Sequence, residues 1–195
     1  MRNLEEPVQS VEWSTPVGVR SANASQLPVE RWRAFEALGR VKGQQGVQEA
    51  VRVLRTVAHS RSEERRRLAI RALGSLAPRA RQAAQALVEG ALDPALDVRT
   101  EARAVLAEYL GRHTPMEELV DLLSSSVGSA LQRHLACSAL AWAGRIHGPD
   151  LLDKRLQSSV GADSPMVIRM SAALARALAR RQDRPEEVVG WLFGW

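Results

Sequence analysis

The sequence predicts an all-α solenoid, a stack of helical hairpins, and three observations predict it. First, a short landmark recurs at nearly constant spacing. It reads Ala37-Leu38-Gly39, Ala72-Leu73-Gly74, Val105-Leu106-Ala107, Ala139-Leu140-Ala141 and Ala173-Leu174-Ala175. The central leucines lie 35, 33, 34 and 34 residues apart, a period typical of helical units that bury their apolar faces on one another. Second, the flanking residues repeat at helical offsets. Ala34, Ala69, Ala102, Ala136 and Met170 stand four before each leucine; Val41, Leu76, Tyr109, Ala143 and Ala177 stand three after it. These positions share one face of a 3.6-residue helix. Third, apolar residues make up 45% of the chain but aromatics only 4%. Alanine, leucine and valine must therefore build the core, as thin, closely packed helices require.

The elements follow in order. Residues 1–27 carry Pro7, Pro16, Gly18, Ser21, Asn23 and Ser25, which break any long helix. Leu4, Val8, Val11 and Trp13 are too apolar for a pure disordered tail, so an irregular arm partly docked on the first helix is expected. That helix should run from about Pro28 to Val41. Each landmark then marks an inner helix, termed B, and outer helices, termed A, fit between them. Val47, Ala50, Val51, Leu54 and Val57 make one A stripe; Ala83, Ala86, Leu87 and Leu92 mark the next. Thr114-Pro115-Met116-Glu117 reads as a capping box with proline at the first helical position. Gly148-Pro149-Asp150 opens another helix, carrying Leu151, Leu152 and Leu156. A last one should begin near Asp183-Arg184-Pro185-Glu186 and carry Val188, Val189, Leu192 and Phe193.

Seven residues before four of the leucines stands an arginine: Arg31, Arg66, Arg99 and Arg133. The fifth copy has Val167 instead. The fullest copy is Asp93-Pro94-Ala95-Leu96-Asp97-Val98-Arg99, followed by Ala102 and Leu106. Here the chain resembles the HEAT-repeat family, in which a turn aspartate and an arginine six residues later help tie successive repeats together. Asp93 and Arg99 match that spacing, as do Asp163 and Arg169. Ser60 and Val127 replace the aspartate in the second and fourth copies. The resemblance covers residues 28–182. It implies a right-handed α-solenoid of about five helical hairpins over 28–195, preceded by the irregular arm at 1–27.

Charge is unevenly spread. Of 27 basic residues, 25 are arginines, the lysines being Lys42 and Lys154. Residues 51–112 carry 12 basic and seven acidic groups, which equals the net +5 of the whole chain. Such a face attracts an acidic protein, a nucleic acid or a membrane surface. Cys137 is the single cysteine and sits among core alanines, so it reads as a buried thiol with no disulfide framework around it. No apolar run reaches membrane-spanning length and no signal-peptide core appears, so cytoplasmic residence is the default expectation.

No catalytic constellation is visible. Gly43-Gln44-Gln45-Gly46 lacks the lysine and hydroxyl of a phosphate loop. His59, His113, His134 and His147 are not paired at metal-ligand spacing. Glu117-Glu118 and Glu186-Glu187 sit in first helical turns, where carboxylates favour the helix dipole. No cofactor or metal is therefore expected. The basic run Arg61, Arg65, Arg66, Arg67 and Arg71 reads either as a solvated helix face or as a binding face. On a helical wheel Arg67 and Arg71 lie opposite the buried stripe. The equivalent positions are Trp32 and Glu36, Thr100 and Ala104, and His134 and Ser138. Trp32, Glu36, Arg67, Arg71, Thr100 and His134 are accordingly the expected partner-binding residues, since an exposed Trp beside arginines has the composition of a hot spot. Trp32 packed under the N-terminal arm is the competing reading. The terminal Trp191-Leu192-Phe193-Gly194-Trp195 reads as a cap on the stack, with a partner-binding or self-association patch as its alternative.

These features point first to a non-enzymatic adaptor or regulator that binds another protein. The family resemblance implies bacterial-type scaffolds and regulators of signalling proteins, including small GTPase systems. Nucleic-acid binding by a basic face is the alternative, for which HEAT-like DNA glycosylases set a precedent. A lyase or cofactor-handling role on the same scaffold finds no identifiable site in the sequence.

Overall fold

The computed structural model describes residues 28–181 together with 184, 185, 188 and 189. The expected N-terminal arm and the terminal aromatic segment lie outside these residues. Among the described residues 82% are helical and none forms a strand. The elements are α1 (Pro28–Gly39), α2 (Gln44–Ala58), α3 (Glu63–Leu76), α4 (Arg81–Gly90), α5 (Leu96–His113), α6 (Met116–Ser125), α7 (Ala130–His147), α8 (Pro149–Ser159) and α9 (Met166–Ala179). Single 3₁₀ turns at Ala77–Arg79 and Ser126–Gly128 lead into α4 and α7. Helices α1, α3, α5, α7 and α9 pack in sequence as the B layer; α2, α4, α6 and α8 lie behind them. This is the α-solenoid that the period predicts.

The landmark leucines do what their spacing requires in four copies. Leu38, Leu73, Leu106 and Leu140 are buried, and so is the full α2 stripe from Val47 to Val57. The fifth copy slips by one residue. Leu174 is half-buried and Met170 and Ala177 are exposed, while Ser171, Ala175 and Leu178 face the core. Ile168 and Leu178, the buried bulky residues at the two ends of α9, set the register there rather than the Ala-Leu-Ala string. Two further expectations are corrected. Leu92 lies in the turn after α4 and is exposed. At 114–117 no side chain caps α6: Pro115 occupies the N-cap position itself, and Thr114 closes α5 with its N–H on the Leu110 carbonyl.

Glycines allow the B helices to approach closely. A Cβ on Gly111 would stand 2.6 Å from the Ala139 carbonyl oxygen and 2.5 Å from Trp142 Cβ, so α5 and α7 meet at backbone distance. A Cβ on Gly144 would meet side chains instead, Leu152 at 2.7 Å and Ala179 at 2.8 Å, so α7 packs tightly on α8 and α9 there. Cys137 joins that last pair of B helices. Its thiol, fully buried, donates to the Ser171 carbonyl at 3.3 Å, and burial pushes its pKa up to about 12.

The repeated arginines clamp the turns that precede their own helices. Arg66 Nη1 donates to the Ser60 and Arg61 carbonyls, Arg99 Nη1 to those of Asp93 and Pro94, and Arg133 Nη1 to those of Ser126 and Val127. Because the acceptors are backbone oxygens, the clamp works whether the turn residue is Asp93, Ser60 or Val127. The Asp93 carboxylate reaches backwards instead. It accepts from Arg66 Nε at 2.8 Å and Nη2 at 2.9 Å, and from the Ala95 N–H at 2.8 Å. Inter-repeat tying is thus Asp93 to the arginine of the preceding repeat.

Candidate functional site

The outward face of the B layer carries two adjoining depressions. The smaller, about 190 Å³, lies between α1 and α3 and is lined by Trp32, Phe35, Glu36, Arg40, Arg71 and Ser75, among others. The larger, about 390 Å³, runs from α3 across α5 to Trp142 of α7. Arg71 and Ser75 line both, so together they form one trough across four successive B helices. The trough exists because each B helix turns its apolar stripe inward and leaves a polar or aromatic ridge outside.

The ridge is crossed by ion pairs. Arg71 holds Glu101 in a two-point pair, Nε to Oε1 at 2.7 Å and Nη2 to Oε2 at 2.9 Å. Arg67 stands 4.0 Å from Asp97. With Arg66–Asp93 these make three successive rungs from α3 to the α4–α5 turn and α5. Arg112 bonds Glu108 one turn away at 3.0 Å. At the far end Trp142 is bracketed by guanidinium groups, with Arg145 at 5.3 Å and Arg112 at 5.8 Å from its ring centroid. Cations over an indole face are attracted by its quadrupole. Tyr109 and His113 stack obliquely beside them, centroids 5.1 Å apart. Arg145 also donates twice to the Leu178 carbonyl, which ties this end of the trough to α9.

The structure separates the six expected site residues. Trp32, Glu36 and Arg71 line the small depression together, with Trp32 43% exposed and Glu36 paired to Arg40. Arg67 and Thr100 are exposed on the same layer but line neither depression. His134 does not reach the surface: it is only 3% exposed, and Ser138 is fully buried with it. Helix α7 is enclosed on almost every side by α5, α6, α8 and α9, so the wheel positions that are outside in α3 are inside here. Sequence reasoning misses Trp142, Tyr109, Arg112 and Glu101. Trp142 carries a usable signal: it falls two residues after its landmark leucine, one turn further along the ridge of His134 and Ser138.

Burial has a titration consequence at His134. Desolvation, and secondarily the charge of Arg103, lowers its pKa from 6.5 to about 4. The depressed value means that the unfolded chain binds a proton that the folded chain refuses. Stability from this group is complete above pH 6.5, declines as pH falls, and is lost by pH 4, a total of about 3 kcal/mol. Urea midpoints at about pH 7 and about pH 4.5 should therefore converge in His134→Leu relative to the wild type. An identical pH slope in both proteins would place the titration elsewhere.

A family comparison agrees with this architecture. The family model for HEAT repeats matches residues 21–107. This stretch is similar to HEAT-repeat sequence. Among solved structures, the complex of CpcE and CpcF of phycocyanin lyase from Nostoc sp. PCC7120 is similar, at 23% identity and a TM-score of 0.43, covering 98% of this chain and 73% of that one. No curated protein matches. The matched stretch contains α1 to most of α5, and hence the small depression, the three ion-pair rungs and most of the larger depression. Among the described residues no helix is long and apolar enough to cross a membrane.

Proposed function

We propose that this chain is a non-enzymatic adaptor that binds a partner protein through the B-layer trough. The observation that carries the reading is the trough itself, with Trp32 at one end, Trp142 at the other and Arg71 shared between its two halves. Partly exposed aromatics beside arginines are the residues on which protein interfaces concentrate their energy. The arginine excess, by contrast, is largely spent within the fold. Arg52, Arg55, Arg66, Arg67, Arg71 and Arg112 face carboxylates, and Arg79, Arg99 and Arg103 donate to backbone carbonyls. That pairing weakens the case for a phosphate-tracking surface.

The test is affinity of a partner recovered with the full chain from its native cell. Trp32→Ala should weaken binding by about 2 kcal/mol, roughly thirtyfold, with circular dichroism unchanged. Arg67→Ala with Arg71→Ala should do likewise. Unaltered affinity in both variants would remove the trough from the interface. Salt-sensitive binding of duplex or single-stranded DNA or RNA, abolished by the double-arginine variant, would replace the adaptor reading with nucleic-acid binding.

A further inference from the structure

Among the described residues α9 is the last helix of the B layer, and one of its faces is left open. Its buried side meets α7: the Ser171 and Leu178 carbonyls accept from Cys137 and Arg145, and Ala179 packs at Gly144. On the opposite side, at i, i+4, i+7 and i+11, stand Met166, Met170, Ala173 and Ala177, all exposed. At 3.6 residues per turn these four fall within an arc of about 60°. Met166 is 69% and Met170 65% exposed; only Leu92, among the described large apolar residues, is comparably open. This stripe lies where earlier B helices are stacked upon. Gly111 of α5, Gly144 of α7 and Ala177 of α9 stand 33 residues apart. The next B helix approaches at Gly111 and at Gly144, whereas Ala177 is open.

We propose that this stripe pairs with the same stripe of a second copy, the two α9 helices running antiparallel. The stripe is complementary to itself. Its large residues occupy one end and its small ones the other, symmetrically about the point between Ser171 and Ala172. Antiparallel pairing about that point sets Met166 against Ala177 of the second copy, and Met170 against Ala173. Each methionine, unbranched and adaptable, then fills the space over an alanine. Parallel pairing would set methionine on methionine and alanine on alanine, crowding one end and leaving the other empty. The ends also match in sign, because Asp163, exposed before α9, comes level with Arg180 just after α9 of the second copy. Such a two-fold contact uses one patch on both copies, so assembly closes at the dimer. One helix face is smaller than a standard interface, which makes the dimer weak and concentration-dependent. Because α9 lines neither depression, this pairing does not depend on the adaptor reading.

Sedimentation velocity of the full chain from about 1 µM to about 500 µM covers the range of a weak dimer. The mass should rise with concentration from 21.4 kDa toward twice that value. Met170→Glu should stay at the monomer mass throughout, with an unchanged melting curve, because the site is exposed. Cross-linking tests the orientation. Met166→Cys combined with Ala177→Cys should form an intermolecular disulfide under mild oxidation, while Met166→Cys alone should not. In the antiparallel pair the two copies of position 166 lie about 16 Å apart along the helices, beyond disulfide reach. Cys137, fully buried, does not compete. A wild-type chain that stays monomeric throughout would overturn the proposal, whether residues 190–195 of the same chain or a different protein covers the stripe. A dimer that Met170→Glu leaves intact would place the contact elsewhere and overturn it too. Equal cross-linking by Met166→Cys alone would show parallel pairing and overturn the self-complementary arrangement.

Discussion

Leu73→Ala should destabilise the protein by about 2–5 kcal/mol, the range for truncating a fully buried leucine. Leu73 has no solvent exposure and lies in the last turn of α3. It belongs to the apolar cluster that includes Leu54, Leu87 and Leu106. On one side the neighbouring helix already stands at backbone distance, a Cβ on Gly39 falling 3.2 Å from the Ala72 carbonyl oxygen, which limits closure over the missing methyl groups. A control sits in the same landmark frame. Leu174 has alanines on both sides in sequence, Ala173 and Ala175, but is half-buried at the edge of α9. Leu174→Ala should cost clearly less. Urea denaturation of both variants separates the outcomes; equal losses would mean that the landmark, not burial, governs stability.

The contrast between those two leucines shows what the sequence could and could not reveal. Periodicity located every B helix, because a 33–35-residue repeat leaves one way to bury a small-residue stripe on its neighbours. It failed at the last copy, where Ala-Leu-Ala is compatible with two registers one residue apart and only the packing of Ile168 and Leu178 decides. Trp32 and Arg71, outward on the helical wheel, line one depression. The wheel misplaced His134 because it assumes one buried side, and α7 has neighbours around almost its whole circumference. The arginine excess was the least legible feature. A guanidinium that clamps a turn carbonyl and one that faces solvent have the same sequence, and the two are distinguished only by where the preceding turn lies. Composition alone therefore overstated the free positive charge of residues 51–112.

Of the three rungs between α3 and the following repeat, the Arg66–Asp93 pair should dominate. Its side chains are only 13% and 10% exposed, whereas those of Arg67–Asp97 are 45% and 66% exposed. Breaking a buried pair strands a charge, at a cost of about 3–5 kcal/mol; an exposed pair contributes about 0–1 kcal/mol. Asp93→Ala should therefore be severely destabilising and Asp97→Ala nearly silent. The loss has two sources, the Arg66 guanidinium left without its carboxylate and the Ala95 N–H left without its acceptor at the start of α5. The pair also predicts an acid response. Burial works to raise the Asp93 pKa, but the hydrogen bonds from Arg66 and Ala95 and the charges of Arg66 and Arg99 outweigh it, so the net value is lowered. Its contribution is thus present above the unfolded value of 3.8 and is lost as pH falls through the lower folded value. Asp93→Asn keeps an acceptor for Ala95 but removes the charge. It should fall between wild type and Asp93→Ala, with a flatter stability profile below about pH 4. Chemical denaturation of the three variants at low and high salt decides the matter. A large effect of Asp97→Ala, or an Asp93→Ala loss below about 1 kcal/mol, would show that carbonyl clamps and leucine burial hold the repeats together without this bridge.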